Sequence, residues 1–423
     1  MIKVIKNSKY LILICLLMIT SQTFGQGSRY TGTYKKSGRI EYVDKSNIVI
    51  EGLEFENSID RSITLWSCNN ITIKNCKFKN SKNEWAILAE NSTNIHVIDC
   101  SFENVYAGFK AVRCKGNVKF EYNDVKNVVG NLYGGSANLQ AVQFNTCTGA
   151  DNSISFNSIE NIEGESSPDD NINVFYSSGT PESPIRVANN WIRGGGPSAS
   201  GGGILLGDWG GSYQIAENNI VVNPGQYGMG IAGGNNMTLR NNKIYSKKRA
   251  FTNVGLSICN WTADKTTGPS YNITVENNEI NWTHRDGYLN IWWVYENMNH
   301  LKGLQTNFYN KDLTGSILPE IIIDRARQTN GSNPDENQPE IIPEPTITKV
   351  YIDSFNRIAI KYLVSSIPHA FAELYTSTGQ LNTSMTLPRF NTAFPHILSP
   401  GEYFVKITYR DLNKTEINKI IIN

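Results

Sequence analysis

The chain has 423 residues, a formal net charge of +1 at pH 7, 39% hydrophobic residues and 10% aromatics. That composition supports a sizeable core and excludes a disordered chain, and the near-balanced charge gives no argument for a nucleic-acid partner. Thirty-five glycines and a surplus of asparagine, with no heptad or amphipathic helical run, point to an all-β chain of short strands and tight turns.

Residues 1–25 read as a secretory signal. Lys3, Lys6 and Lys9 precede an apolar run from Tyr10 to Ile19, and Thr23-Phe24-Gly25 offers small residues for cleavage. The run is about half the roughly 20 residues that span a bilayer, so no membrane span is expected after its removal. The chain from Gln26 carries 36 basic and 38 acidic residues. A secreted or cell-surface location and a monomeric state are expected.

The next segment is repetitive. The pieces ANNWIRGG, ENNIVVNP, NNKIYSKK and ENNEINWT begin at Ala188, Glu217, Asn241 and Glu276. Aligning the position before the residue-plus-aliphatic step gives Leu53, Cys76, Cys100, Asn123, Asn157, Asn190, Asn219, Asn242 and Asn278. Their spacing has a base near 23 with insertions, too short for helical repeats and right for one coil of two or three short strands. Asn tolerates left-handed backbone at a sharp turn, and its amide can bond to the equivalent amide one coil above and one below. An asparagine ladder is predicted, with Cys76 and Cys100 as small buried members. On the same grounds Asn70, Asn91 and Asn236, each within a glycosylation sequon, are read as structural turns.

From about Ser37 to Trp293 these coils resemble the right-handed parallel β-helix of the pectate-lyase-like superfamily. That family includes polysaccharide lyases, polygalacturonase-type hydrolases and noncatalytic adhesins. The resemblance implies a β-helix domain over 26–330. Residues 331–345 (GSNPDENQPEIIPEP), with four prolines and four acidic residues, read as an extended linker. Residues 346–423 hold short alternating runs such as IAIKYLV and GEYFVKITY, which predict a small β-sandwich. Leu374-Tyr375 through Gly379-Gln380, Pro400-Gly401-Glu402-Tyr403 and Lys419 to Ile422 resemble the C-terminal sorting domain of type IX secretion cargo. That implies the secretion machinery as a partner.

Six cysteines follow residue 25, and Cys114 and Cys147 occupy similar turn positions in adjacent coils, where a bridge would fit. The longest coils lie in the middle, with extra residues at one corner: NVVGNLYGGSANLQ after Lys126, NIEGESSPDDN after Glu160 and GGGPSASGG after Arg193. Stacked insertions make a wall beside a sheet, hence a groove. Inward positions are assigned to Val142, Phe144, Ile172, Val174, Ile204 and Leu206, leaving Gln143, Asn145, Asn173 and Gly207 facing out. Gln143, Asn173, Tyr176, Arg193, Trp209 and Tyr227 are the expected substrate-binding residues, since amides and aromatics suit sugar edges and faces.

Asp169 and Asp170 begin one central strand and Asp208 ends the next. Coils lie about 4.8 Å apart, so these carboxylates can share acid and base or nucleophile roles in glycoside cleavage. Polygalacturonase-type hydrolases resemble this paired Asp with a third nearby, although their Gly-His-Gly and Arg-x-Lys motifs are replaced here by Gly228-Met-Gly and Gly233-Gly. Elimination on a uronic acid would instead need a base such as Lys110 or Arg113, with Ca²⁺ or a cation to neutralise the substrate. Arg193, Lys247, Lys248 and Arg249 are further cations, the last three expected at a solvated corner, and Glu84, Glu90 and Asn91 could contribute to a Ca²⁺ site. The expectation is a polysaccharide-degrading enzyme, with hydrolysis favoured and no cofactor needed for it. Elimination, and noncatalytic carbohydrate binding, are the alternatives.

Overall fold

The computed structural model describes residues 32–133, 139–198, 200–262, 268–295 and 297–323. In the C-terminal part it describes 348–352, 357–362, 370–376, 381–387, 392–394, 398–409 and 414–422. The signal segment, the linker 331–345 and Gly379-Gln380 lie outside these ranges. The chain divides into two compact units, Met1–Arg327 and Gln328–Asn423.

The first unit is a coil of parallel strands. Sheet 1 has 11 strands, each paired with its counterpart one coil on. The other 19 described strands are linked into one sheet with two faces, joined by the 16-residue strand Gly202–Glu217: sheet 2, the face from Ile40–Val43 through Val142–Asn145 and Ile172–Ser178 to Trp292–Val294, and sheet 3, the face from Ser46–Glu51 through Val118–Glu121 and Ile185–Ala188 to Met298–Lys302. Register is maintained along the axis because the same residue type recurs at the same place. In sheet 1, Phe55, Phe78, Phe102, Val125, Ile159, Ile192, Val221, Ile244 and Ile280 are successive partners. All nine are buried, and the first three rings stack at 5.1 and 4.8 Å. Each such side chain contributes roughly 1.5–3 kcal/mol on burial. The inward assignments Val142, Phe144, Ile172, Val174, Ile204 and Leu206 are all fully buried.

The asparagine ladder is present and one rung longer than the repeat spacing indicated. Nδ2 of each asparagine donates to Oδ1 of the next, from Asn123 through Asn157, Asn190, Asn219, Asn242 and Asn278 to Asn307, at 2.6–3.2 Å. Each Oδ1 also accepts the backbone N–H of the preceding rung, and each Nδ2 reaches a strand carbonyl, as from Asn219 to Val187 at 2.9 Å. Cys100 continues the column, its N–H bonded to Asn123 Oδ1. The repeated Asn-Asn pair thus divides two tasks. The ladder residue is buried, while the residue before it takes the left-handed turn: Asn189, Asn218, Asn241 and Asn277 have φ of 54–57°. The expectation that one asparagine did both is corrected. Asn70, Asn91 and Asn236 are also left-handed turn residues.

Cys114 and Cys147 do stack in one column, but each is free, with Sγ donating to the carbonyls of Ala89 and Ala111 at 3.5 Å. A thiol there satisfies backbone oxygen as a serine would, and Ser177, the next rung, bonds Cys147 N–H at 2.8 Å.

The corner insertions stack as expected. Asn171 ties them together: its Oδ1 accepts from Asn161, and its Nδ2 donates to the carbonyls of Gly194, Gly202 and Pro224. Arg249, expected at a solvated corner, is largely buried instead. It donates to the carbonyls of Gly195 and Asn223, pairs with Glu163 at 2.8 Å and lies over the Phe251 ring.

The second unit packs a three-stranded antiparallel sheet on a four-stranded one. Ile358, Ile360 and Phe394 from the first meet Leu374, Val405 and Ile407 from the second in one core. This is a small β-sandwich.

Candidate active site

Sheet 2 presents two outward rows beside the wall. Lys110, Gln143, Asn173 and Leu205 are successive partners in one row; Val112, Asn145, Phe175 and Asp208 are successive partners in the other. Gly207, predicted to face outward, instead has a left-handed backbone (φ 63°) at a register shift, which brings Asp208 opposite Phe175. An unbroken register would have put the glycine there.

Asn173 is the hub. Its Nδ2 donates to Asp170 Oδ2 and Asp208 Oδ2, both at 2.9 Å, and its Oδ1 accepts from Gln143 at 3.3 Å. Asp170 Oδ1 accepts from the Gly202 N–H at 2.9 Å and from the Tyr227 hydroxyl. Tyr227 reaches back across Gly202, where a Cβ would lie 2.7 Å from its ring, so glycine is required beneath it. Asp169 Oδ1 accepts from Ser198 and Ser200 at 2.8 and 2.9 Å. The Ser198 hydroxyl also accepts the Gly201 N–H at 2.8 Å. These serines sit in the third insertion, and nothing in their local sequence marks them.

Burial sets the electrostatics. Asp170 is 2% exposed, and desolvation together with the Asp169 charge raises its pKa to about 7, against the opposing pull of the Tyr227 and Asn173 hydrogen bonds. Burial also raises Asp208, which is half-buried and the more accessible of the two. The Tyr227 phenol is held well above its ordinary range by burial and by the Asp170 charge, so it remains a donor.

Sequence reasoning therefore placed Asp169, Asp170, Asp208, Gln143, Asn173 and Tyr227 together, and the structure joins all but Asp169 in one hydrogen-bond network, with Asp169 beside it on Ser198 and Ser200. Tyr176 and Trp209 stand at its edge, 51% and 46% exposed, with Trp209 leaning on Phe175 at 6.3 Å. Lys110 lies one strand from Gln143, its ammonium 5.4 Å from the Trp85 ring centroid and its pKa lowered by burial. Two residues lie elsewhere. Arg113 is a left-handed corner residue paired with Glu90 and bonded to Asn91. Arg193 is on sheet 1, where it bonds Glu160 and the carbonyls of Pro319 and Glu320, clipping a later segment to that face. Glu84 pairs with Arg61. Among the described residues, no group of three or more His, Cys, Asp or Glu side chains is arranged to hold a metal ion.

The pKa of Asp170 carries a stability prediction. A carboxyl whose folded pKa is raised stabilises the fold fully below its unfolded pKa near 4, and that contribution is lost as pH rises to about 7. Asp170→Asn should therefore gain on the native chain with rising pH, reaching a few kcal/mol by pH 8. Urea midpoints of both chains at pH 5 and pH 8 check this; a gap that does not widen contradicts it.

A family model described as "Right handed beta helix region" matches residues 18–159. No curated protein matches the chain. The match stops before Asp169, so it bears on the coils and not on the carboxylates. Its description agrees with the strand register, and the chain is a right-handed parallel β-helix followed by a small β-sandwich.

Proposed function

We propose that the protein hydrolyses glycosidic bonds of a polysaccharide bound along sheet 2, in the manner of pectate-lyase-like β-helix enzymes. The observation that carries this reading is the Asp170–Asn173–Asp208 bridge, in which two carboxylates share one amide and one of them holds its proton to about pH 7. Asp170 is the proton donor to the leaving oxygen. Asp208, the more accessible, is base or nucleophile. Asp169 stands beside Asp170 and helps raise its pKa, while Gln143 and Tyr227 fix the geometry. Tyr176 and Trp209 offer ring faces to neighbouring sugars.

Elimination is the second reading, favoured by one observation: Lys110, depressed by burial, stands in the row that holds Gln143 and Asn173. The two chemistries separate on products and mutants. Under hydrolysis, Asp170→Asn or Asp208→Asn lowers turnover a hundredfold or more, Lys110→Ala mainly weakens binding, and cleavage declines as pH rises through about 7. Reducing-end and ultraviolet assays on a glycan panel check this. Unsaturated products, abolished by Lys110→Ala, would establish elimination instead, and no cleavage of any glycan would leave a sugar-binding protein.

Export belongs to the same proposal, supported by the charged-then-apolar N-terminus and by the β-sandwich after the linker. Removing residues 346–423 should leave the β-helix folded, since its coils are closed by their neighbours, and should stop release from a host with type IX secretion. Unchanged release would refute the sorting role.

A further inference from the structure

We infer that sheet 2 carries a second, distal sugar-binding platform for uncharged units of the same polymer, formed by Trp261, Trp293 and Tyr295. This rests on the reading of sheet 2 as a polysaccharide track. The three rings form one cluster: Trp293 to Tyr295 at 4.7 Å, Trp261 to Tyr295 at 5.8 Å and Trp261 to Trp293 at 6.1 Å between centroids. Their exposures are 56% for Trp261 and 38% for each of the others. Large apolar side chains exposed together at one place on a surface are a binding site more often than an accident of packing.

Register ties the cluster to the carboxylates. Asn173, Leu205, Gly230, Ser257 and Trp293 are successive partners in one outward row. In the adjoining row, the N–H groups of Ala232, Cys259 and Tyr295 bond the carbonyls of Leu206, Ile231 and Ile258 on the strand before each, so these residues follow Gly207, the neighbour of Asp208, coil by coil. Four strand spacings separate Asn173 from Trp293, about 19 Å. Between them the rows hold Leu205, Gly230, Ala232, Ser257 and Cys259, all small or apolar, of which Leu205 is partly exposed and the other four are buried. None of these side chains is charged. A polyanion would find no cation along these rows and three carboxylates at their end, whereas an uncharged chain needs only ring faces to stack on.

The test uses the full chain bearing Asp208→Asn, so that bound sugar is not consumed. Tryptophan fluorescence is titrated with xylo-, manno- and cello-oligosaccharides and with oligogalacturonides, each as disaccharide and hexasaccharide. A neutral hexasaccharide should bind tenfold or more tightly than its disaccharide, and Trp261→Ala or Trp293→Ala should remove that advantage. Trp293→Phe, which retains a ring, should keep most of it, separating loss of stacking from loss of fold. Unchanged hexasaccharide affinity in both alanine variants, preference for oligogalacturonide, or no binding by any probe would overturn the platform. If the native chain cleaves a glycan while the alanine variants bind normally, the platform fails and the glycosidase reading stands. If hexasaccharide binding depends on the rings but the native chain cleaves nothing, the platform stands and the glycosidase reading fails.

Discussion

From Asn123 to Asn307, the stretch that holds the candidate site, the β-helix depends on one repeated interaction, the bond from the amide of one ladder asparagine to that of the next. Parallel strands offer little of their own to fix where each coil begins, because their hydrogen bonds look alike from residue to residue. A buried amide that must find its neighbour removes that freedom. A coil slipped by one residue would leave Nδ2 and Oδ1 groups without partners and would turn each inward aliphatic outward. Insertions of different length are then tolerated at the opposite corner, since the ladder restores register after each one. The wall beside sheet 2 follows from that tolerance.

The candidate site inherits this register. Gln143, Asn173 and Leu205 come from three coils and share a row only because the ladder aligns them. The network then departs from what stability alone would select. Withdrawing Asp170 from water beside Asp169 is unfavourable, and a neutral side chain there would relieve the conflict. Such frustration, concentrated in one groove of an otherwise consistent fold, is the expected mark of a functional site.

The sequence made the coils legible because their signal is periodic and chemical at once. Asparagine followed by an aliphatic at a near-constant interval specifies both a turn and a core position. The carboxylate grouping could be read in part, as Asp169 and Asp170 stand at the start of one central strand and Asp208 lies on the strand one coil on. Other features had no local sign. Arg193 looked like a groove cation, yet its partners at Pro319 and Glu320 lie over a hundred residues away, beyond any repeat. Asp208 faces Phe175 only through the bulge at Gly207, and Ser198 reaches Asp169 from an insertion without periodicity. The Trp261 cluster went unread because its members come from a loop and from the last coil.

The ladder can be tested at a single rung. Asn219→Leu removes the acceptor of Asn190 N–H and Nδ2 and the donor to Val187 and Asn242, all buried. Val49→Ala, at an outward position 60% exposed, removes nothing comparable. Denaturant midpoints of the two variants should differ, with Asn219→Leu destabilised by about 3 kcal/mol and Val49→Ala within about 0.5 kcal/mol of the native chain. Equal and negligible effects from both would mean that the coils are held in register by something other than their asparagines.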